Sequence, residues 1–292
     1  MTISILVSVA IFAGSQAIGH TPQLTQLLSL NMAPTRALYH HINTYQYGTD
    51  GNDVFVGTIP NRTGQLAAVG KLIGPRGECS GTVFKDKRIV LTSGHCIYGS
   101  TPDPSELVNM DDSVDFMPGM VDGVPLDTIK GKVVRIGHNN FRANPDKDYA
   151  IVVLSRPAPV IPMQPDLNLQ LPTNNLVFAG YPESPYDGKS LSIVAGCRGI
   201  TGGAGLGLIS NYCNVRPGGS GGFLGTARIL RNSQGAIQKV DDLKIVGIVK
   251  GAGSDDNRYN VPLLPENQNV AVPIKNVING VNAEIIKLEH MN

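Results

Sequence analysis

The feature that most restricts this chain is a succession of short β-type runs, each closed by Gly, Pro, Asn or Asp. They are Leu66–Leu72, Gly81–Phe84, Arg88–Thr92, Thr128–Ile136 and Tyr149–Leu154, then Leu176–Ala179, Leu191–Gly196, Leu206–Cys213, Phe223–Leu230, Leu243–Lys250 and Asn269–Val272. Strands this short and this closely spaced predict an all-β sandwich or barrel. Between the two groups lies Arg156 to Pro165, with prolines at 157, 159, 162 and 165. Proline cannot donate to a ladder, so this stretch is predicted to be a linker rather than a central strand. Past the last run, Val277, Ile278, Val281, Ile285 and Ile286 recur at helical spacing, which predicts one amphipathic helix over Ile274–Leu288.

Composition sets outer bounds. The chain has 292 residues, 41% of them hydrophobic, with 34 Gly and 20 Pro, enough for a large core with many turns and few long helices. A net charge of +1 offers no electrostatic footprint for nucleic acid or an anionic membrane surface. The absence of Trp and 5% aromatic content argue against base-stacking surfaces. Neither a nucleic-acid partner nor a membrane span is expected, and a monomer is the default.

The first residues read as a targeting segment. Ile3 to Gly14 is apolar and too short to span a bilayer, and Ser15-Gln16-Ala17 carries small residues where a signal peptidase needs them. A basic n-region is missing, and the competing reading is a buried N-terminal strand or helix. The working division is a signal peptide over 1–17 and a pro-segment or surface arm over 18–60. A first barrel follows over 61–155, a linker over 156–170, a second barrel over 171–275 and a helix over 276–292.

Four cysteines agree with export. Cys79/Cys96 and Cys197/Cys213 are two close pairs with no CxxC, unlike the spacing of zinc ligands. They are read as one local disulfide in each half, with four buried thiols as the alternative. Asp103, Glu106, Asp111, Asp112, Asp115 and Asp122 could hold calcium, but no regular ligand spacing appears, so a solvated acidic loop is expected. No metal or cofactor is expected.

Three stretches carry chemistry. Arg216-Pro217-Gly218-Gly219-Ser220-Gly221-Gly222 surrounds one hydroxyl with four glycines, which lets the backbone turn tightly and expose its N–H groups. A serine at its free pKa is a poor nucleophile and needs a base and an oxyanion site. Alone, the stretch is a flexible loop as readily as a site. Val90 to Cys96 ends a buried strand with His95, followed at once by a cysteine. Asp146-Lys147-Asp148 precedes the apolar run Tyr149–Leu154; an acid there is also an ordinary strand-capping residue, and Asp146 fits that bland role better than Asp148.

These stretches resemble the motifs of chymotrypsin-like serine proteases. Thr92-Ser93-Gly94-His95-Cys96 resembles T-A-A-H-C, Asp148-Tyr-Ala-Ile-Val-Val-Leu resembles D-[IL]-A-L-L, and Gly218-Gly-Ser220-Gly-Gly resembles G-D-S-G-G. Cys79-Ser-Gly-Thr resembles the C-G-G-[ST] that supplies the partner of the cysteine after the histidine, and His138-Asn-Asn-Phe resembles H-P-x-[YF]. Phe178-Ala-Gly-Tyr-Pro, Cys213-Asn-Val-Arg-Pro-Gly-Gly-Ser and Asn269-Val-Ala-Val-Pro-Ile are closer to the bacterial V8-like, glutamyl-endopeptidase-like branch. The resemblance covers roughly residues 50 to 275.

The resemblance implies two six-stranded antiparallel β-barrels with the active site in the crevice between them, in accord with the strand count and the Pro-rich linker. It implies a secreted endopeptidase in which Ser220 attacks, His95 is the base and Asp148 orients it. Gly218 and Ser220 would supply the oxyanion hole. There are two departures. Gly219 stands where trypsin-type members carry the acid that receives the new N-terminal amine on zymogen activation; V8-like members also lack it. In the substrate pocket, Asn214 replaces the trypsin aspartate, and Val249 or Lys250, followed by Gly251, occupies the place of the histidine of glutamate-specific members. An uncharged, moderately apolar residue before the cut is expected. The rival readings are a catalytically silent homologue acting as a binding module and an esterase on the same fold.

Overall fold

Short strands rich in Val and Ile must bury a face and pair both edges, and closing a sheet on itself meets both demands. The computed structural model, which describes residues 55–58, 64–99, 113–138, 140–183, 187–202, 207–213, 215–231, 233, 237–252 and 269–290, contains this solution twice. β1 (Phe55–Thr58), the first strand among the described residues, joins the second sheet. β2 (Val69–Gly74), β3 (Gly77–Val83), β4 (Ile89–Thr92), β5 (Ser113–Pro118), β6 (Ile129–Ile136) and β7 (Ala150–Leu154) close into a barrel in the order β2-β3-β4-β7-β6-β5.

β8 (Gln164–Pro165), β9 (Thr173–Gly180), β10 (Ser192–Gly202), β11 (Leu208–Asn211), β12 (Phe223–Arg231), β13 (Ile237–Ala252) and β14 (Asn269–Pro273) follow. With β1 they form an eight-stranded sheet in the order β1-β10-β11-β14-β13-β12-β9, with β8 beside β13. A further β9–β10 pairing returns the sheet on itself, so β9, β10, β11, β14, β13 and β12 make a second ring. β1 and β8 are additions at its margin.

The apolar runs of the second half are nearly continuous because successive residues feed two different cores. On β9, Phe178 packs in a cluster with Val194, Ile209, Leu224, Val246, Val249 and the cysteines 197 and 213, while its neighbours Val177 and Ala179 belong to the larger cluster that also contains the first barrel's Leu72, Val90, Phe116 and Ile151. The same split separates Leu224 from Phe223 and Ala271 from Val272. Both faces are buried, so no polar alternation is needed.

The Pro-rich segment is bonded along its length. Met163 bridges Phe84, with its N–H on Val83 O (2.9 Å) and its carbonyl accepting the Lys85 N–H (3.0 Å). Gln164 and Pro165 then pair in parallel with Lys244 and Ile245 of β13. Ala158, Val160 and Met163 are buried. It fastens the first sheet to the second, because a proline-rich strand can still use its carbonyls at a margin.

β5 runs through the stretch read from sequence as an acidic loop: Asp115 lies on that strand and meets Lys130 of β6 (2.7 Å), and Asp122 turns at φ 54°. Residues 103–112 lie outside the described residues, as do 1–54. The end of the chain forms a 3-10 turn, Ile274–Asn276, and then a helix, Ile278–His290. Val277, Val281 and Leu288 are buried against the larger core, whereas Ile286 faces solvent. Glu284 completes the buried stripe, held by Arg135 (3.3 Å) and Lys287 (2.9 Å). Among the described residues, no helix is long and apolar enough to cross a membrane.

Candidate active site

β4 and β7 are antiparallel neighbours whose register ends at Thr92↔Ala150. Three residues past Thr92 comes His95, the start of a helical turn over His95–Tyr98. Two residues before Ala150 comes Asp148, which ends the 3-10 turn Pro145–Lys147. The pairing that closes the barrel thus brings the two side chains together. Asp148 accepts the His95 backbone N–H at Oδ1 (2.9 Å) and lies 2.9 Å from His95 Nδ1 at Oδ2. The carboxylate has no exposed surface, while the imidazole keeps 20%. Using both oxygens on one residue fixes the ring and leaves Nε2 as its outward nitrogen. Asp146 lies on the 3-10 turn itself, its carbonyl accepting Asn276 Nδ2 (3.3 Å).

Cys96 is bonded to Cys79 of β3, and Cys197 to Cys213 in the second barrel. Cys79, Cys96 and His95 lie within 4.8 Å of one another, but the two sulfurs are joined and offer no thiolate to a metal.

The glycine-rich loop is fixed peptide by peptide. Pro217 O accepts the Glu183 N–H (2.8 Å), Gly218 O accepts Ser80 Oγ (2.8 Å), Gly219 O accepts the Gly222 N–H (3.0 Å), and Ser220 O accepts the Ser80 N–H (2.8 Å). Gly219 N donates to Arg216 O (2.9 Å) and Gly221 N to Val249 O (2.7 Å). In the run Gly218–Gly222, the N–H groups of Gly218 and Ser220 are left without a protein acceptor among the described residues. Two glycines are obligatory here. Gly218 has φ +85° and Gly221 φ +79°, and a Cβ on Gly221 would stand 2.2 Å from both Ser80 O and Thr92 Oγ1.

Val249 O also accepts Ser93 Oγ (2.8 Å). One carbonyl of β13 therefore anchors the residue after Ser220 and the residue two before His95, so both segments converge on the same strand end. Ser220 Oγ donates to Lys250 O (3.0 Å), and a Cβ on Gly251 would be 3.3 Å from it. These bonds set the register along Val249-Lys250-Gly251. Val249 is fully buried in the second cluster, whereas Lys250 and Gly251 are partly exposed beside the hydroxyl. Asn214 lies outside the described residues.

Residues to which the motifs assign no role hold this arrangement: Ser80, Ser93, Tyr181 and Asn276. Ser80 stands beside Cys79 in a quoted motif, yet the partners of its hydroxyl lie more than a hundred residues away, and no local pattern announces them.

No protein-family model and no curated protein matches the chain. Solved structures do. A Glu endopeptidase superposes with TM-score 0.54 over 82% of this chain and 100% of its own, at 18% identity. The thermostable serine protease AL20 from an extremophilic microorganism gives TM-score 0.53 over 75% and 97%, at 17% identity. Neuropsin, a serine protease expressed in the limbic system of mouse brain, gives 0.53 over 78% and 96%, at 17%. Two closed β-layers, a C-terminal helix and these neighbours together give the chain the two-barrel fold of the trypsin-like serine proteases.

Proposed function

We propose that the chain is a secreted serine endopeptidase, nearest in design to the V8-like branch. The observation that carries this is the fully buried Asp148 bonded through both oxygens to His95, beside a loop in which, among the described residues, the N–H groups of Gly218 and of Ser220 itself have no protein acceptor. In the proposed reaction Ser220 Oγ attacks the scissile carbonyl carbon as His95 Nε2 removes its proton. The oxygen, now negative, is held by the Gly218 and Ser220 N–H groups, each worth about 3 kcal/mol in the transition state. His95 then delivers the proton to the departing amine, leaving an acyl-enzyme. Water, deprotonated by the same nitrogen, attacks the ester and regenerates Ser220. Asp148 holds the tautomer that presents Nε2 as base and stabilises the imidazolium, without itself taking the proton.

The Ser220 hydroxyl rests on Lys250 O and must rotate toward His95 when substrate binds. That resting bond is the observation favouring the rival reading, a silent homologue that binds without cutting. A fluorophosphonate probe separates the two: stoichiometric labelling that Ser220→Ala abolishes supports the enzyme, and absence of labelling on folded protein sinks it. An esterase on the same fold would turn over esters but not peptides.

Export rests on the apolar Ile3–Gly14 segment and two disulfides, which persist in oxidising compartments. Activation by a buried amine–carboxylate pair has no acceptor at Gly219, so a one- or two-residue N-terminal extension of the mature form should cost little activity. At the pocket, a cationic side chain would need a buried carboxylate that Asn214 does not supply. Val249 or Lys250 stands where glutamate-specific relatives carry histidine, and the small residues Gly251 and Ala252 follow. An uncharged, moderately apolar residue before the cut is therefore favoured. Digestion of a proteome-derived peptide library tests this, and cuts confined to Glu or Arg sites would refute it.

A further inference from the structure

Ser80 has no exposed surface and no part in the reaction above, yet four hydrogen bonds meet on it. Its N–H donates to Ser220 O (2.8 Å) and its carbonyl accepts Thr92 Oγ1 (2.8 Å). Its hydroxyl accepts the Tyr181 N–H (2.8 Å) and donates to Gly218 O (2.8 Å). The directions are not interchangeable: an amide N–H can only donate and a carbonyl can only accept, so the single hydroxyl proton must go to Gly218.

We infer that Ser80 is a positioning residue for the two oxyanion donors, an inference that rests on the endopeptidase reading. The Gly218–Gly219 peptide joins those donors, and its orientation sets the angle between them. A peptide unit is planar, so holding Gly218 O holds the whole unit. Both flanking residues are glycines, for which rotation of that unit meets little steric resistance, so the restraint must come from outside the loop. Ser80 Oγ supplies it. The same oxygen holds Tyr181 N, two residues before the Glu183 N–H that fixes Pro217 O, the next peptide plane. The adjacent Cys79 is tied to Cys96, the neighbour of His95. One dipeptide of β3 thereby steadies the base from one side and the donors from the other.

The test compares wild type, Ser80→Ala and Thr92→Val. Thr92→Val deletes the bond to the Ser80 carbonyl and leaves the hydroxyl in place. For Ser80→Ala, kcat on an internally quenched casein-derived peptide should fall about tenfold, a fraction of the 10²–10³ lost with a whole donor. KM should stay nearly constant, and the plateau rate of fluorophosphonate labelling should fall with kcat. The acid midpoint of the labelling profile should not move, since His95 and Asp148 are untouched. Thr92→Val should lower the melting temperature and keep kcat. Unchanged kcat in Ser80→Ala overturns the inference. So does an equal kcat loss in Thr92→Val, or a midpoint that shifts with the rate. If Ser80→Ala does not fold, Ser80→Gly, with room for a water, should show a smaller kcat loss, and wild-type kcat there overturns the inference equally. A wild-type chain that neither cuts nor labels defeats the endopeptidase reading itself; an active wild type with an equally active Ser80→Ala defeats this inference alone.

Discussion

The first barrel holds its candidate functional side chains at strand ends, and the second holds its own on a loop. His95 and Asp148 follow and precede the paired strands β4 and β7, so the Thr92↔Ala150 register fixes their meeting. A one-residue slip would turn every side chain of a strand to the other face, and with both faces buried such a slip is strongly disfavoured. Ser220 has no such frame. Its loop is fixed by bonds to Ser80 on β3, Val249 on β13 and Glu183 after β9. A side-chain pair can be set by strand pairing, whereas an array of backbone N–H groups has to be oriented from outside.

The sharpest way to break this comparison is at Asp148. Asp148→Asn should lower kcat by about 10⁴-fold through the wrong imidazole tautomer, and Asp146→Asn should change it little. The reverse ranking in steady-state kinetics would mean that strand register does not select the acid.

Next in size is Gly221→Ala. The added Cβ meets Ser80 O and Thr92 Oγ1 at 2.2 Å with φ at +79°, so about 2–4 kcal/mol of stability should be lost. Gly207→Ala, also at positive φ (+68°) but with nothing within 4 Å, should cost only about 1 kcal/mol. Equal costs in urea unfolding would show that contact with the first barrel does not hold the loop.

The disulfides sharpen the contrast further. Each closes a stretch of similar length, with separations of 17 and 16, so replacing either pair by alanine should cost about 3 kcal/mol. Loss of Cys79–Cys96 should also reduce activity in protein that remains folded, because it frees the residue after His95. Loss of Cys197–Cys213 should reduce it less, which specific activity corrected for the folded fraction would measure.

The smallest effect is electrostatic. Arg156 makes a bidentate pair with Asp127 that holds this carboxyl below its ordinary range, the hydrogen bond from the guanidinium being the main cause. A depressed carboxyl contributes stability above its unfolded pKa of 3.8 and loses it as pH falls through that value toward the folded one. Arg156→Ala should therefore shift the urea midpoint slightly at pH 7, and not at acid pH or in high salt, since the Arg156 side chain is exposed and the pair is open to screening. A shift that persists in acid would point to lost packing instead.

Much of the fold was legible residue by residue. Val90-Leu91-Thr92 and Ile151-Val152-Val153 read as strands because β-branched residues at that spacing leave few alternatives. Both cysteine pairs could be taken from spacing. β5 leaves no clear mark on the sequence because acids interrupt its pattern, with Asp115 partly buried beside Lys130, and neither does Phe55–Thr58, because a short strand at a margin carries little signal. The predicted C-terminal helix is present, though it begins at Ile278 after a 3-10 turn; Ile286, part of the apolar repeat, faces solvent, and Glu284 fills the buried stripe through ion pairs that no periodicity contains.

By itself the sequence determined the elements and the candidate chemistry: a serine among glycines, a histidine at a strand end and an acid before another strand. Those are local properties, fixed by propensity, turn residues and spacing. Only the tertiary structure decided that Asp148 and not Asp146 meets His95, which follows from a 3-10 turn and a ladder register across 53 residues. It alone decided that Ser80 holds Gly218 across 138 residues. Contacts at such separations depend on barrel closure, which joins strands by their position in the ring and not by their distance along the chain.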